Sequence, residues 1–159
     1  MGYSACMNRR HALFALLGTP VLFRAAGALA AQGPLVVVHK SEGCSCCKLW
    51  VDHLQKAGFT VKVIDESNMG PTKERVGVPV GKASCHTAEV GGYFVEGHVP
   101  ATDIQRLLRE KPKAKGLVVP AMPLGSPGME VPSGQVDPYD VLLVGMDGST
   151  RVYAHYPKA

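Results

Sequence analysis

Three of the chain's five cysteines, Cys44, Cys46 and Cys47, fall within four residues, between the β-branched run Leu35–His39 and a stretch of helical periodicity. This junction limits the fold more than any other feature. Leu35-Val36-Val37-Val38 is continuously apolar, as in a strand buried on both faces. Past the thiols, Cys47, Val51, Leu54 and Gly58 recur at helical spacing, while Lys48, Asp52 and Lys56 lie off that stripe. The pattern predicts an amphipathic helix ending at Gly58. Phe59–Ile64 then reads as a second strand, which makes a parallel βαβ unit with the cysteines in its first loop. Cysteine that only packs has no reason to cluster, so such a group points to metal binding or disulfide exchange.

Downstream, Pro71 opens a short helix over Gly70–Arg75, and Gly77–Gly81 is a turn-rich connection. Ser84–Val90 and Gly92–Val95 read as strands joined through Gly91-Gly92, a hairpin signal. Pro100 begins a helix running to about Arg109, with Ile104, Leu107 and Leu108 on its apolar face. From Lys111 the density of proline and glycine predicts a long shaped loop, because proline fits neither the middle of a sheet nor of a helix. Tyr139–Met146 and Ser149–Tyr156 form a hairpin about Asp147-Gly148. The expected class is α/β: a thioredoxin-like core, βαβ followed by ββα, with a Pro/Gly-rich loop and a C-terminal β-hairpin.

Residues 1–30 have the three parts of an export signal: Asn8-Arg9-Arg10, the mostly apolar Ala12–Phe23, and the small-x-small ending Ala28-Leu29-Ala30. The apolar run is broken by Gly18, Pro20 and Arg24, short of the roughly 20 residues a bilayer span needs, so no stable membrane anchor is expected. Export by the Sec or the twin-arginine route fits. Residues 31–159 then form one domain. Loss of three arginines and no acidic residue lowers the formal charge from +4 to +1, and no concentrated basic stripe remains to bind nucleic acid.

The domain keeps four cysteines, Cys44, Cys46, Cys47 and Cys85. Cys44 and Cys47 have the C-x-x-C spacing at a helix start, where the helix dipole favours thiolate. Adjacent Cys46 and Cys47 do not readily bridge each other, so a Cys44–Cys47 pair would leave Cys46 to Cys85 or to a metal. Four thiolates suit zinc as well as copper(I). Met122 and Met129, flanking a rigid loop, lean the choice toward copper(I), although gap-filling is methionine's commoner use. Strand alternation would turn Cys85 and His86 to opposite faces, which favours His98 as the histidine ligand. His39 stays near the loop, His53 reads as solvated helix surface, and Trp50 as a core or site-covering aromatic.

These residues resemble the CopG-type copper-resistance proteins. The matching stretches are Cys44-Ser45-Cys46-Cys47 with Trp50, Ser84-Cys85-His86-Thr87, Tyr93 with Glu96-Gly97-His98-Val99-Pro100, and Gly116-Leu117-Val118-Val119-Pro120 running into the Met122–Glu130 loop. The resemblance implies a periplasmic thioredoxin-like domain that binds several copper ions through its cysteines and interconverts copper redox states. On this reading Cys44, Cys46, Cys47 and Cys85 are the principal ligands, with His98, Met122 and Met129 as further candidates. The expected partners are copper ions, together with other periplasmic copper-handling proteins or an electron donor. The alternative is a thiol-disulfide oxidoreductase in which Cys44 attacks and Cys47 resolves.

Overall fold

The computed structural model describes residues 1–2 and 33–158. The chain divides into two units, Met1–Ala30 and Ala31–Ala159. Beyond its first two residues, the expected export signal lies outside the described residues. The second unit runs β1 (Leu35–Ser41), α1 (Ser45–Lys56), β2 (Thr60–Glu66), α2 (Gly70–Val76), β3 (His86–Val90), β4 (Tyr93–Glu96), α3 (Ala101–Glu110), β5 (Ala114–Val118), β6 (Tyr139–Gly145) and β7 (Thr150–Tyr156). All seven strands belong to one sheet, ordered β2-β1-β3-β4-β5-β6-β7. β1 pairs with β2 and β4 with β5 in parallel, each pair spanned by a helical crossover, and the remaining pairings are antiparallel.

Alternation along the strands divides the side chains between two layers. On one face Val36, Val38, Ala88, Val95 and Leu117 meet Trp50 and Leu54 of α1 and Ile104 and Leu107 of α3. Each large aliphatic side chain buried here contributes about 1.5–3 kcal/mol of hydrophobic stabilisation. The other face has a smaller apolar cluster, Phe94, Val118 and Val144, packed by Val76 and Val78. Beside it lie the buried polar residues His39, Thr72, Thr87 and Glu96.

The structure corrects the sequence reading between Lys111 and Pro120. Ala114–Val118, expected within the long loop, is a strand between β4 and β6. Pro112 and Pro120 bound this strand and leave its amides intact, so proline composition alone misplaced it. Gly116 also reads as loop, yet it is pressed against β4, and a Cβ there would lie 2.0 Å from the Phe94 carbonyl oxygen. Through β5 the C-terminal hairpin becomes part of the same sheet as the cysteine-bearing βαβ unit. Gly116→Ala is therefore expected to destabilise the domain by about 3 kcal/mol, the upper part of the usual range for overpacking. A lower urea midpoint at unchanged slope would register this, and an unchanged midpoint would contradict the close β4–β5 contact.

Candidate metal centre

Antiparallel pairing of β3 on β1 sets His86 opposite Lys40, which brings the start of β3 beside the end of β1. The cysteine loop leaves β1 at that end, and Cys85 precedes β3 there. Cys46 Sγ lies 3.5 Å from Cys44 Sγ and 3.8 Å from Cys85 Sγ. The four sulfurs all fall within 4.8 Å of one another. Cys44 and Cys47 are joined by a disulfide, and Cys46 and Cys85 are free thiols. The Cys47 sulfur, fully buried, sits 3.9 Å from the Cys85 carbonyl oxygen. A metal ion about 2.3 Å from each free sulfur would see Cys46 and Cys85 at an angle of about 110°, close to tetrahedral. The two free thiols are thus already at chelating distance.

Imidazole nitrogens complete the group. His98 Nδ1 lies 2.8 Å from the Pro127 carbonyl oxygen, which can only accept, so Nδ1 carries the proton and donates it. The opposite nitrogen, Nε2, then presents a lone pair 3.1 Å from Cys85 Sγ. This is the orientation that a metal-binding histidine requires, with its remote N–H held by a carbonyl. His86 Nδ1 also lies 3.2 Å from Cys85 Sγ, contrary to the alternation argument. That argument fails because β3 begins at His86, so Cys85 is in the preceding bend, where no alternation applies. His86 is fully buried against Trp50, with ring centroids 4.3 Å apart, and its Nε2 has no hydrogen-bond partner among the described residues. Trp50 itself donates from Nε1 to the Val99 carbonyl oxygen, so its part in the site is to cover.

The proline-rich loop folds back onto α1. A Cβ at Gly128 would lie 2.8 Å from the Trp50 nitrogen and 2.9 Å from the Cys46 carbonyl oxygen, and its φ of +86° disfavours any larger residue. Pro127 holds His98 from this loop, and Glu130 accepts the Gly128 amide. Met129, next in the chain, is half-buried, whereas Met122 is 49% exposed at the other end of the segment. His53 is corrected as well. It is half-buried, and its Nε2 accepts the Ala101 amide at the start of α3.

Burial favours the neutral forms of Cys85, His86 and His98. The Cys85 thiol is pushed up to about 12, first by desolvation and then by the neighbouring Cys46. Desolvation lowers His98, and it lowers His86 to about 3 with help from His98 and Lys73. Thiol and imidazole therefore meet as uncharged hydrogen-bonding partners, and a soft cation would take the place of the thiol proton.

Fold and site define an α/β domain with a cysteine- and histidine-lined centre able to hold metal at the start of its first helix. A family model described as "Protein of unknown function, DUF411" matches residues 82–129. No curated protein matches the chain. Two solved structures do, both of copper resistance protein CopG. Form 1 is 45% identical with a TM-score of 0.74, covering 78% of this chain and 98% of that one. Form 2 is 45% identical with a TM-score of 0.75, covering 79% and 99%. The chain belongs to the CopG copper-resistance family.

The neutral histidines set a pH dependence. His53, His86 and His98 all titrate lower in the fold than the ordinary value near 6.5, so between those values the unfolded chain binds more protons. Their contribution is fully present above about pH 6.5 and is lost as pH falls below it. Stability of the metal-free protein is expected to drop steadily from pH 7 to pH 4.5. His86→Gln, which cannot be protonated, is expected to flatten that slope in denaturant titrations, and an equal slope in both proteins would contradict the assignment.

Proposed function

We propose that this protein is a periplasmic copper-resistance protein that holds copper(I) in a cysteine-thiolate cluster and interconverts copper(I) and copper(II). The observation that carries this reading is the approach of Cys46 to Cys85 at 3.8 Å, with His98 Nε2 aimed at the same sulfur. Family membership supports copper as the cargo, since the solved relatives are titled copper resistance proteins. Thiolate sulfur with imidazole is a donor set that suits copper and tolerates a one-electron change better than sulfur alone. In the reduced protein Cys44, Cys46, Cys47 and Cys85 act as the principal ligands and several copper ions share them. His98 adds its Nε2, and Met129 and Met122 are the further candidates, Met129 being favoured because it follows Gly128, which packs against α1.

The strand order β2-β1-β3-β4, with parallel β1 and β2 and antiparallel β3 and β4, supports the thioredoxin-like reading of the core. Export follows from the sequence of residues 1–30, with cleavage after Ala30. It is compatible with the lack, among the described residues, of any helix long and apolar enough to cross a membrane. Its partners beyond copper ions are other periplasmic copper-handling proteins, with which it exchanges copper, or an electron donor, which reduces copper(II) to copper(I).

Anaerobic titration of the reduced protein with copper(I) against a chromogenic chelator tests the proposal. Wild type is expected to take up more than one copper(I), and Cys46→Ser and Cys85→Ser each to lower that number. Because the Cys85 proton must leave, affinity is expected to rise with pH across the range 6 to 8. Copper uptake unchanged by either substitution would sink the thiolate cluster. Failure of bound copper to change valence reversibly with mild oxidants and reductants would sink the redox part.

One observation favours a second reading, thiol-disulfide exchange through Cys44 and Cys47. The two are bridged, and only Cys44 lines an open cleft, of about 360 Å³, with Lys40, Lys48, Val51 and Val63. On this reading an incoming thiolate attacks Cys44 and releases Cys47. Exchange with a dithiol would then survive Cys46→Ser and Cys85→Ser without metal, an outcome the copper reading does not expect.

A further inference from the structure

Glu96 is a carboxylate with 0% exposure on the sheet face away from the core, and it has three donors. Oε1 accepts from Lys73 Nζ of α2 at 2.5 Å and from the Ser84 backbone amide at 2.6 Å. Oε2 accepts from the Thr87 hydroxyl at 2.7 Å, and Lys73 Nζ also reaches that hydroxyl at 3.0 Å. Desolvating this ion pair is costly, and such a pair is a poor source of stability compared with an apolar packing of the same volume. Its position is more telling. Of the three donors, the Ser84 amide belongs to the bend that presents Cys85.

That bend is fixed from two further directions. The Ser84 hydroxyl donates to the Ala121 carbonyl oxygen, just before Met122. From below, Gly97 approaches so closely that a Cβ would lie 2.7 Å from the Ser84 hydroxyl and 2.4 Å from the Val119 carbonyl oxygen, at a φ of +74°. Glu96 and Gly97 are followed at once by His98. One short turn therefore anchors the Cys85 bend by its carboxylate and carries the imidazole that meets the Cys85 sulfur.

We infer that Glu96, held by Lys73 and Thr87, is the positioning residue of the centre: through the Ser84 amide it sets where Cys85 stands relative to Cys46 and His98. It touches neither sulfur nor metal and acts only through Ser84. The inference rests on the copper reading for its affinity measurement alone. The two free thiols sit on separate supports, Cys46 on α1 and Cys85 on this bend, so their 3.8 Å separation is only as well defined as the bend. Loss of the anchor leaves Cys46 in place and frees Cys85.

The test compares full-length wild type with Glu96→Gln and with Val144→Ala, which opens a cavity on the same sheet face two strands away. Two quantities are read: copper(I) affinity by chelator competition, and the alkylation rates of Cys85 and Cys46 in the reduced, metal-free proteins. Glu96→Gln is expected to weaken copper(I) binding about 10–100-fold, the usual effect of losing an outer support of a metal site. It should also raise the Cys85 alkylation rate relative to Cys46. Val144→Ala should leave affinity and the rate ratio within twofold. If the unpaired Lys73 prevents Glu96→Gln from folding, the double variant Glu96→Gln/Lys73→Met, which strands no charge, replaces it. An unchanged Cys85 to Cys46 ratio in the folded variant would overturn the inference, as would an equal loss of affinity in Val144→Ala. A wild type that takes no copper(I) would overturn the copper reading, and the alkylation ratio would still decide the positioning role.

Discussion

The centre depends on one strand pairing. Had β3 joined β1 in parallel, its first residues would lie beside Leu35, a strand length away from the cysteine loop. The antiparallel register, Lys40 opposite His86 and His39 opposite Thr87, instead brings a bend 39 residues beyond Cys46 to the helix start that bears it. The same pairing positions Trp50 of α1 against His86, so the aromatic lid and the donors are set by one packing event. Everything else at the site adjusts this meeting: the Gly128 contact closes the loop over α1, and the Pro127 carbonyl turns His98.

Desolvation then decides the resting chemistry. A thiol and an imidazole in contact can form an ion pair when solvent or a nearby cation supports the thiolate. Here burial raises Cys85 and lowers His86 and His98, so both partners stay neutral. The absence of acidic residues from the first turn of α1 leaves its amide dipoles free to favour negative charge at the sulfurs once a cation arrives. A cation that bonds weakly to sulfur would not displace the Cys85 proton, whereas a soft one would.

Much of this was legible in the sequence. The β-branched run before Cys44, the helical stripe ending at Gly58 and the Gly91-Gly92 and Asp147-Gly148 turns mark elements found close to their expected bounds. These signals are local. What was not legible depends on neighbours distant in the chain. β5 reads as loop from its flanking prolines and from Gly116, whose cause, the Phe94 carbonyl against it, is a contact that local composition does not encode. A period-two rule sets His86 aside unless the start of β3 is known, and His53 reads as surface because its partner, the Ala101 amide, lies 48 residues away. Glu96 carried no signal as a support beyond being a carboxylate within an apolar strand, Tyr93-Phe94-Val95-Glu96. That misfit between residue type and burial was the available clue.

Cys46 is where the two chemistries of the cluster separate. Cys44 and Cys47 bridge each other across one helical turn, and a sulfur committed to a disulfide has no thiolate to offer a cation. Cys46 stands outside that pair, next to Cys44 and within reach of Cys85, and belongs to whatever group forms around it. The bridge and the full four-sulfur set therefore exclude each other, while the pair Cys46 and Cys85 with His98 is common to both states. Two-electron reduction of the bridge would raise the number of free sulfurs in the centre from two to four, while Cys46 and Cys85 stay free with the bridge closed.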